Sequence, residues 1–599
     1  MRAHPVRIQI AAGLAIAAWL FATPALSQNT WYVDDDGSPQ GTGSSADPFP
    51  TIQRAITSTG TQEGDTILVR PGTYRERVNL TRGLYVIGEA GAAQTIVDAM
   101  HRGPTVTVRH QSAHESRLEG FTLRNGTGRF IASRGESQGG GIFCVNSRLV
   151  VAACTITGNA TRIGGGDSAI VGSGGGLFAG VGADVELIAC TVEGNDATRG
   201  GGIALDRGKV AVLGGTVRAN RALGGEFDPG RGGGFHALSG SRLELEHVDV
   251  RTNLALGNEY GLEALGGGLR LEAGSSCLIE SSTIAANDSG GFSLGYGDLS
   301  GFGGGVSSMA RGSEFSMYWS DVRGNWGNNG GGGVHGKGEL IGCTIEQNRG
   351  QFGGGVHAID MTLSGCILRS NLGSVSGSYD WGGGIYVGPG RRGVLEGCEL
   401  DSNFAWGRGA GGFGGTYVGC DIHDNFAAGD AETGFVVGGG VYGGDLLDCR
   451  VWNNTAEQQD YFDAEGGGLY DCAASFCIVR DNVADFFGAA SLSQLERSTI
   501  ANNVTVIGSE AVGASTVHDS IVRFNVPADL DGATNATWSA VPAGTPGVGN
   551  VFDDPLLWNV GGRDYRLQPS SPCIDAGDPT SPPDPDGSRA DMGAMPYGG

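Results

Sequence analysis

The chain has 599 residues, with 39 lysine and arginine side chains against 64 aspartates and glutamates, a formal net charge of −25 at pH 7 and 111 glycines. This excess of acid argues against nucleic acid as a partner, and a polyanionic glycan would be repelled unless cations bridged it. The glycines follow no Gly-x-y period, which excludes a collagen triple helix.

The first predicted element is an export signal. Residues 1–27 contain two early arginines, an apolar stretch from Ile8 to Phe21 and the small-residue end Ala25-Leu26-Ser27. This order of features is typical of a secretory signal peptide. We therefore expect the mature chain to be secreted or to lie on the outer cell surface. No later segment reaches the ~18 consecutive apolar residues that a transmembrane helix requires.

Residues 28–112 are less repetitive and are predicted to form the N-terminal cap and the first coils. The apolar spacing of Thr51-Ile52-Gln53-Arg54-Ala55-Ile56 predicts a short amphipathic helix. Strands centred on Ile67-Leu68-Val69 and Tyr85-Val86-Ile87 follow it. A helix at this place would cover the open end of the first coil.

Residues 113–530 are dominated by one repeat, Cys-x-(Ile/Val)-x-x-Asn followed after a variable stretch by Gly-Gly-Gly and an aliphatic residue. The residue three before each anchoring asparagine is always Ile, Val or Leu, and the shortest anchor intervals are 21 to 23 residues. A short, fixed period indicates a solenoid. The anchors are Asn159, Asn195, Asn220, Asn253, Asn287, Asn325, Asn348, Asn371, Asn403, Asn425, Asn454, Asn482, Asn503 and Asn525.

The repeat predicts strands rather than helices, because its inward residues alternate with period two. Coils this short cannot bury an apolar face alone, so they must stack with parallel, in-register pairing, which gives an all-β parallel β-helix. Asparagine is expected to take the left-handed conformation at a corner, with its amides hydrogen-bonded up the column. In the unit from Phe121 to Gly126, we expect Gly126 to occupy that corner.

Eight of the twelve cysteines share one inward repeat position, where other coils carry glycine, valine or serine. Two interpretations stay open: a ladder of reduced thiols, and disulfides between neighbouring coils. The strand spacing favours the first, because stacked Cβ atoms lie rather far apart for an unstrained disulfide. The eight are Cys154, Cys190, Cys343, Cys366, Cys398, Cys420, Cys449 and Cys477, whereas Cys144, Cys277, Cys472 and Cys573 fall outside the column.

Residues 531–599 lose the repeat and are predicted to form an irregular C-terminal cap. This segment contains Asp564-Tyr565-Arg566-Leu567, Ser571-Pro572, Ile574-Asp575-Ala576-Gly577 and Asp591-Met592-Gly593-Ala594.

The chain also resembles known proteins. Its N-terminal block, from Trp31-Tyr32-Val33 to Pro71-Gly72-Thr73-Tyr74, resembles the entry segment of right-handed parallel β-helix repeat proteins of the pectate-lyase-like superfamily. The repeats are similar to those of polymorphic outer-membrane proteins, and residues 531–599 resemble the choice-of-anchor domain attached to many bacterial β-helices. The resemblance implies a right-handed β-helix and export. It does not select an activity, because the superfamily contains lyases, hydrolases, adhesins and structural proteins.

A stripe rich in aromatic residues follows the inward aliphatic residue of each glycine-rich strand and is expected to face solvent. Rings stacked coil upon coil could lie under the apolar faces of sugar units, or they could only stabilise the sheet. The stripe comprises Phe143, Phe178, Ala204, His236, Arg270, Ser307, His335, His357, Tyr386, Gly414, Tyr442 and Tyr470.

The segments between asparagine and the glycines all leave at one edge and are predicted to build a loop rim or cleft. Several mix aromatic and acidic residues, which suits sugar recognition, Ca²⁺ ligation or paired-carboxylate hydrolysis, and equally suits solvated loops. The predicted ligand-binding residues are His335, His357, Tyr386, Tyr442 and Tyr470 from the stripe, with Tyr379, Asp380, Trp381, Asp460, Tyr461, Asp463 and Glu465 from the loops.

The leading hypothesis is an exported, monomeric β-helix that binds an extracellular polysaccharide or a cell-surface glycan as an adhesin or scaffold. The repetition of candidate groups along many coils favours binding, because a catalytic site concentrates unlike residues at one place. The alternative is a polysaccharide lyase or glycoside hydrolase acting in the cleft, and a third hypothesis is a purely structural surface rod. No catalytic residue is predicted, and Ca²⁺ is the one candidate cofactor.

Overall fold

The computed structural model describes residues 29–112, 114–161, 171–225, 228–257, 263–290, 301–373, 380–429, 435–458 and 463–597. Their strands pair almost entirely in parallel and join each coil to the next, so the predicted all-β parallel β-helix is confirmed. Each coil contributes to three faces. The first face follows the glycine run, the second comes next, and the third ends at the anchoring asparagine.

The strands of the first face are Val78–Leu80, Val106–Val108, Ile142–Cys144, Leu177–Ala179, Ile203–Asp206, Phe235–Leu238, Leu269–Leu271, Val306–Ser308, Gly412–Phe413, Val441–Tyr442, Leu469–Tyr470, Ala490–Ser491, Glu510–Gly513 and Ala528–Leu530. Three longer strands run from the first face into the second: Val334–Ile341, Val356–Ser364 and Ile385–Glu396.

The strands of the second face are Thr30–Val33, Thr66–Val69, Tyr85–Gly88, Ser116–Glu119, Arg148–Ala152, Arg242–Glu246, Ser276–Glu280, Glu314–Tyr318, Thr416–Val418, Asp445–Leu447, Ala473–Ser475, Gln494–Glu496, Thr516–His518 and Asn535–Thr537. Two strands run from the second face into the third: Asp184–Glu193 and Lys209–Arg218.

The strands of the third face are Gly72–Tyr74, Thr95–Asp98, Thr122–Arg124, Thr155–Thr157, Asp249–Arg251, Thr283–Ala285, Asp321–Arg323, Thr344–Glu346, Ile367–Arg369, Glu399–Asp401, Asp421–His423, Arg450–Trp452, Ile478–Arg480, Thr499–Ala501 and Ile521–Arg523. Ile345, Leu368 and Leu400 are register partners in successive coils and are fully buried. The predicted apolar cylinder is therefore present.

The anchoring asparagines form one unbroken ladder from Asn159 to Asn525, as predicted. In each step an amide Nδ2 donates to the Oδ1 of the next asparagine over 2.9–3.1 Å. The same Nδ2 of Asn371 also donates to the carbonyl of Ile345 at 2.8 Å, and the backbone N–H of Asn371 donates to Oδ1 of Asn403 at 3.1 Å. The ladder therefore satisfies buried backbone groups at every corner.

The prediction that the asparagine itself takes the left-handed conformation is wrong. The left-handed residue precedes it, with φ of 51° to 55° at Thr252, Gln347 and Ser402, for example. In the early coil, Asn125 has φ of 59°, and Gly126 takes the ladder position by donating its N–H to Oδ1 of Asn159 at 2.8 Å. The left-handed turn falls on the residue before the asparagine, because the asparagine side chain itself must point inward to join the ladder.

The glycine runs pack against the asparagine ladder. Gly353, the first of one run, has φ of 71°, which disfavours a side chain. A Cβ on Gly354 would lie 2.5 Å from the backbone of Leu372, and one on Gly355 would lie 3.0 Å from Nδ2 of Asn371. The glycines and the asparagine occur together because the amide needs the space that a Cβ would fill.

A fourth column of short strands follows the asparagines, where only loops were predicted. From Asn195 to Asn482 the residue two after each asparagine is alanine, serine or glycine, and several of these, such as Ala405, Ala427 and Ala456, form a separate buried cluster. The strands of this column are Asp196–Ala197, Arg221–Leu223, Leu254–Leu256, Asp288–Ser289, Trp326–Gly327, Arg349–Gly350, Leu372–Gly373, Phe404–Arg408, Phe426–Gly429, Thr455–Gln458, Val483–Ala484 and Val504–Thr505.

Further strands return the chain from the fourth column to the first face. They are Arg129–Ile131, Glu136–Gln138, Val171–Ser173, Ala264–Leu265, Gly301–Phe302, Asp380–Trp381, Val436–Val437 and Ala464–Glu465. The described parts of the predicted edge excursions therefore include β-structure beside the solenoid.

The N-terminal helix spans Ile52–Thr57, close to its predicted position. Thr51 caps it, and the carboxylate of Glu76 accepts from the backbone N–H groups of Ile52 and Gln53 at 2.8 and 2.9 Å. Ile52, Ala55 and Ile56 are buried against the first coils. Among the described residues, no helix is long and apolar enough to span a membrane.

The C-terminal segment, predicted as an irregular cap, also packs along the outside of the third face. It contains the strands Leu557–Asn559 and Asp564–Leu567 and the 3-10 helix Val560–Gly562. Tyr565, Cys573 and Met592 bury themselves against Ala501 and Ile521, whose side chains point outward. The coil continues past residue 531, because Ala540 bridges both Ile521 and Val551.

All twelve cysteines are free, buried thiols, as the ladder interpretation predicts. The thiol of Cys398 lies 3.6 Å from the carbonyl of Glu396, and in the same column the hydroxyl of Ser498 donates to the carbonyl of Glu496 at 2.8 Å. Cys472 belongs to a second small-residue column at the corner between the first and second faces, where its N–H donates to Ser493.

We expect Cys398→Ser to change the free energy of unfolding by less than about 1 kcal/mol, because serine reproduces the hydrogen bond that the column already uses. Urea unfolding under non-reducing conditions measures the change. A loss of about 2–4 kcal/mol would instead indicate a disulfide to Cys366 or Cys420.

Candidate functional site

The outward residues of the first face form a continuous column, called here the first-face ladder. Strand register places in it Phe143, Phe178, Ala204, His236, Arg270, Ser307, His335, His357, Tyr386, Phe413, Tyr442, Tyr470 and Ser491. The register of the predicted stripe is confirmed with one correction: Phe413 takes the place expected for Gly414. Gly412 is the inward residue there because the fully buried Tyr417 fills that part of the core.

The ladder was expected to face solvent, and this is wrong for most of it. His236 and Ser307 are fully buried, His335 is 1% exposed and Tyr386 is 8% exposed. The fourth column and its return strands lie over the ladder and supply the covering side chains. Phe302, for example, places its ring 5.0 Å from that of His335.

An aromatic cluster occupies the C-terminal half of the ladder. Four of its rings stack in succession. The ring centroids are 5.2 Å apart from Trp381 to Phe413, 4.7 Å from Phe413 to Tyr442 and 5.5 Å from Tyr442 to Tyr470, with interplanar angles of 7°, 18° and 8°. The guanidinium of Arg408 lies 5.5 Å from the ring centroids of both Trp381 and Tyr442. Rings held this way present fixed, nearly parallel faces.

A pocket of about 370 Å³ opens beside this cluster. Tyr386 packs its ring 5.3 Å from Phe352 and, edge-on, 4.9 Å from His357. Arg391 is exposed at the rim. The described lining comprises Phe302, Asn329, Phe352, His357, Tyr386, Gly388, Pro389 and Arg391. Aromatic walls with a few polar groups are typical of a ligand pocket.

Two stacked histidines lie in this region: His357 lines the pocket, and His335 is buried next to it. The rings of His335 and His357 stack at 4.3 Å, and within the described residues neither Nδ1 atom has a hydrogen-bond partner. Burial lowers the pKa of His357 to about 4 and that of His335 well below its usual range. Both imidazoles are therefore neutral at pH 7, so they offer hydrogen bonds rather than charge.

Because these two histidines are buried in their neutral form, we expect the protein to lose stability in acid. The unfolded chain takes up a proton at an ordinary histidine pKa of about 6.5, whereas folded His357 does so only near 4, so the free energy of unfolding falls as pH drops from about 6.5 towards 4. Between pH 7 and pH 5, we expect the free energy of unfolding of His357→Phe to fall by about 2 kcal/mol less than that of the wild type. Urea unfolding at both pH values tests this, and equal losses would contradict it.

A charged cluster that sequence reasoning missed lies in the middle of the ladder. The carboxylate of Glu272 lies 3.5 Å from Nε2 of His236, 3.3 Å from Nε of Arg270 and 3.6 Å from Arg231. The hydrogen bond from His236 and the charges of Arg270 and Arg231 lower the pKa of Glu272 to about 2, against the effect of burial. The hydroxyl of Ser307 accepts from Arg270 at 2.7 Å. Glu272 was missed because the stripe takes only the one residue that follows the inward aliphatic residue, here Arg270, and Glu272 lies two residues further along the sequence.

The predicted site residues divide into three groups. His335, His357, Tyr386, Trp381, Tyr442 and Tyr470 come together on or over the ladder. Glu465 accepts from the hydroxyl of Ser491 at 2.9 Å near the end of the ladder, and Asp463 is exposed. Tyr379, Asp460, Tyr461 and the side chain of Asp380 lie outside the described residues, so their predicted convergence is untested.

Two described groups of side chains have the spacing of metal ligands: Asp401 with His423 and Asp424, and Asp34 with Asp35 and Asp36. Ca²⁺ prefers six to eight oxygen ligands. The first group centres on an imidazole nitrogen, with Nδ1 of His423 2.7 Å from Asp424. In the second, Asp34 pairs with Arg70 at 3.0 Å and Asp35 accepts from the N–H of Thr73. Neither group fits the predicted Ca²⁺.

The chain is a parallel β-helix, whose strands pair in parallel from each coil to the next, and parallel crossover connections are right-handed in nearly all proteins. No family model matches it, and no curated relative matches it. Among solved structures it is similar to pectin methylesterase PemA from Erwinia chrysanthemi, with 11% identity over 54% of this chain and 80% of that chain and a TM-score of 0.22.

It is also similar to a mannuronic acid specific polysaccharide family 6 lyase from human gut microbiota, with 10% identity over 80% of this chain and 87% of that chain and a TM-score of 0.23. Pectate lyase Pel9A matches at 12% identity over 95% of this chain and 96% of that chain, with a TM-score of 0.16. At these values any function has to be argued from the site itself.

Proposed function

We propose that the protein is an exported β-helix that binds carbohydrate in the cleft above the first-face ladder, as a surface adhesin or scaffold. The observation that carries the proposal is the row of fixed aromatic rings from Tyr386 through Tyr470 beside a pocket of about 370 Å³. Sugar rings have apolar faces that pack on aromatic rings, while their hydroxyls need hydrogen-bond partners. Asn329, the imidazole of His357 and Arg391 line the pocket and supply those partners.

Binding fits the pocket better than glycoside hydrolysis does. Hydrolysis takes two carboxyl groups about 5–10 Å apart across the scissile bond. The described lining of the pocket contains no aspartate or glutamate. The enzyme hypothesis therefore requires a site elsewhere, and the buried Glu272 cluster is the nearest group of unlike charged residues on the ladder.

Trp381→Ala should weaken glycan binding, because it removes the ring that stacks on Phe413 and under Arg408. We expect an affinity loss of about two- to tenfold, since an aromatic stacking contact contributes about 0.5–1.5 kcal/mol. Titration of the purified protein with a panel of neutral oligosaccharides measures it. The matched control is Trp319→Ala, whose ring is 66% exposed at a corner away from the ladder.

Equal affinity losses in the two variants would contradict the proposed cleft. The same incubations test the enzyme hypothesis, because new reducing ends or unsaturated products would show catalysis. Export is tested separately by expression of the full-length chain. Recovery outside the cell of a product that begins after Ser27 supports export. A product that stays in the cell and still carries residues 1–27 contradicts it.

A further inference from the structure

The N-terminal end of the first-face ladder differs in charge from the rest of the molecule. Here the ladder passes through Asn79, Thr107, Phe143 and Phe178. Two adjoining pockets of about 270 and 320 Å³ open over these residues, and both are lined by Arg129. Counted from Phe143, seven strand spacings of roughly 4.8 Å, or about 34 Å, separate this place from His357. The two pockets, called here the arginine groove, are thus distinct from the aromatic pocket.

Four arginines line the arginine groove against one carboxylate. They are Arg77, Arg109, Arg129 and Arg134, and the carboxylate is Asp206, which gives a local charge of +3. The whole chain carries −25. A concentration of positive charge in so acidic a protein attracts anions to one place and repels them elsewhere.

The arginine groove is held in shape by surrounding structure. Arg129 and Arg134 lie on an antiparallel hairpin formed by Arg129–Ile131 and Glu136–Gln138. Nη1 of Arg134 pairs with Asp206 at 2.7 Å, which fastens this hairpin to the first face. The guanidinium of Arg129 lies 5.5 Å from the ring centroid of Phe143, which in turn stacks on Phe178 at 5.9 Å. Stacking of this kind pre-orders the guanidinium for a ligand.

Three of these arginines are available to bind an anionic ligand. Arg134 is paired with Asp206, whereas within the described part of the chain no carboxylate lies within ion-pair distance of Arg77, Arg109 or Arg129. All three are exposed at the groove. Together they present more N–H donors than the two oxygens of one carboxylate can accept, whereas a sulfate or phosphate monoester brings three strong acceptor oxygens.

We propose that the arginine groove is a second binding site, for sulfate or phosphate monoester groups of a glycan. The inference rests on the proposed function in taking the ligand to be a glycan. It adds a cationic subsite for anionic groups, whereas the sequence-based expectation was that polyanionic glycans are repelled. The two sites act independently: the aromatic pocket binds neutral sugar units, and the arginine groove binds sulfated or phosphorylated ones.

The experiment compares the wild type with Arg77→Gln/Arg109→Gln/Arg129→Gln in titrations with dextran sulfate and with neutral dextran of equal length. The control is Arg242→Gln/Arg251→Gln/Arg323→Gln, which removes the same charge from exposed arginines on the second and third faces. We expect the groove variant to bind dextran sulfate at least about tenfold more weakly and with a shallower salt dependence, because charge-assisted hydrogen bonds are lost. The control should keep wild-type affinity, and both should keep the wild-type thermal unfolding midpoint.

Three results would overturn the proposal: no binding of dextran sulfate, equal losses in the two triple variants, or equally tight binding of polygalacturonate or a single-stranded oligonucleotide. Trp381→Ala separates this outcome from the proposed function. It should weaken neutral-glycan binding and leave dextran sulfate binding unchanged, and the groove variant should do the reverse.

Discussion

Asn403→Ala should destabilise the protein by about 3–5 kcal/mol. Asn403 is fully buried in the middle of the asparagine ladder. Its Oδ1 accepts from the backbone N–H and the Nδ2 of Asn371, and its own Nδ2 donates to the carbonyl of Leu368 at 2.8 Å. Alanine leaves these buried groups without partners, and each unsatisfied group costs about 1–3 kcal/mol. Urea unfolding measures the change.

Asn535→Ala is the matched control, because this asparagine is exposed on a second-face strand. We expect it to change the free energy of unfolding by less than about 0.5 kcal/mol. If the two variants lost equal stability, the ladder would be a consequence of coil stacking and not one of its causes.

Gly354→Ala should have an effect of similar size through backbone geometry. A Cβ at this position would lie 2.5 Å from the carbonyl carbon and oxygen of Leu372. Because these are main-chain atoms, relief requires that two coils move apart, which breaks parallel hydrogen bonds on either side. We expect a loss of about 3 kcal/mol or more, at the upper end for overpacking.

The control for this prediction is Gly532→Ala, where an added Cβ meets no atom within 4 Å and the backbone φ is not positive. Alanine should be neutral there or stabilise slightly, because it restricts the unfolded chain. Thermal unfolding of both variants makes the comparison. A tolerated alanine at Gly354 would mean that coil spacing adjusts locally without cost.

The coil architecture could be predicted because the same alternation of apolar residues and the same anchoring asparagine recur in many successive coils. The alternation around Ile345 and Leu368 fixes strand and face, and the regular asparagines fix the stacking partner of every coil. The left-handed residue could not be assigned in this way, since positions such as Thr252, Gln347 and Ser402 share no side-chain chemistry. Only the direction of the chain selects them.

The candidate site was predicted only in part, because it depends on what folds over the ladder. The stripe placed His335, His357 and Tyr386 in one column, but covering residues such as Phe302 and Phe352 come from segments of variable length. A signal for the fourth column was present: the second residue after each asparagine is small, from Ala197 through Gly350 to Ala484. Small residues are what close approach of a second layer requires.

The C-terminal segment has a mechanical consequence. It touches four successive coils, through Arg563 over the Trp452 ring at 5.8 Å, Arg563 with Asp481 at 3.3 Å, Ala594 N–H on Thr499 and Gly593 N–H on the carbonyl of Asp519. The last turns of a solenoid are the ones that fray, since each has a neighbour on one side only. Here fraying must break contacts in several turns at once. A pull on the C-terminus therefore loads these turns in shear instead of peeling them off singly.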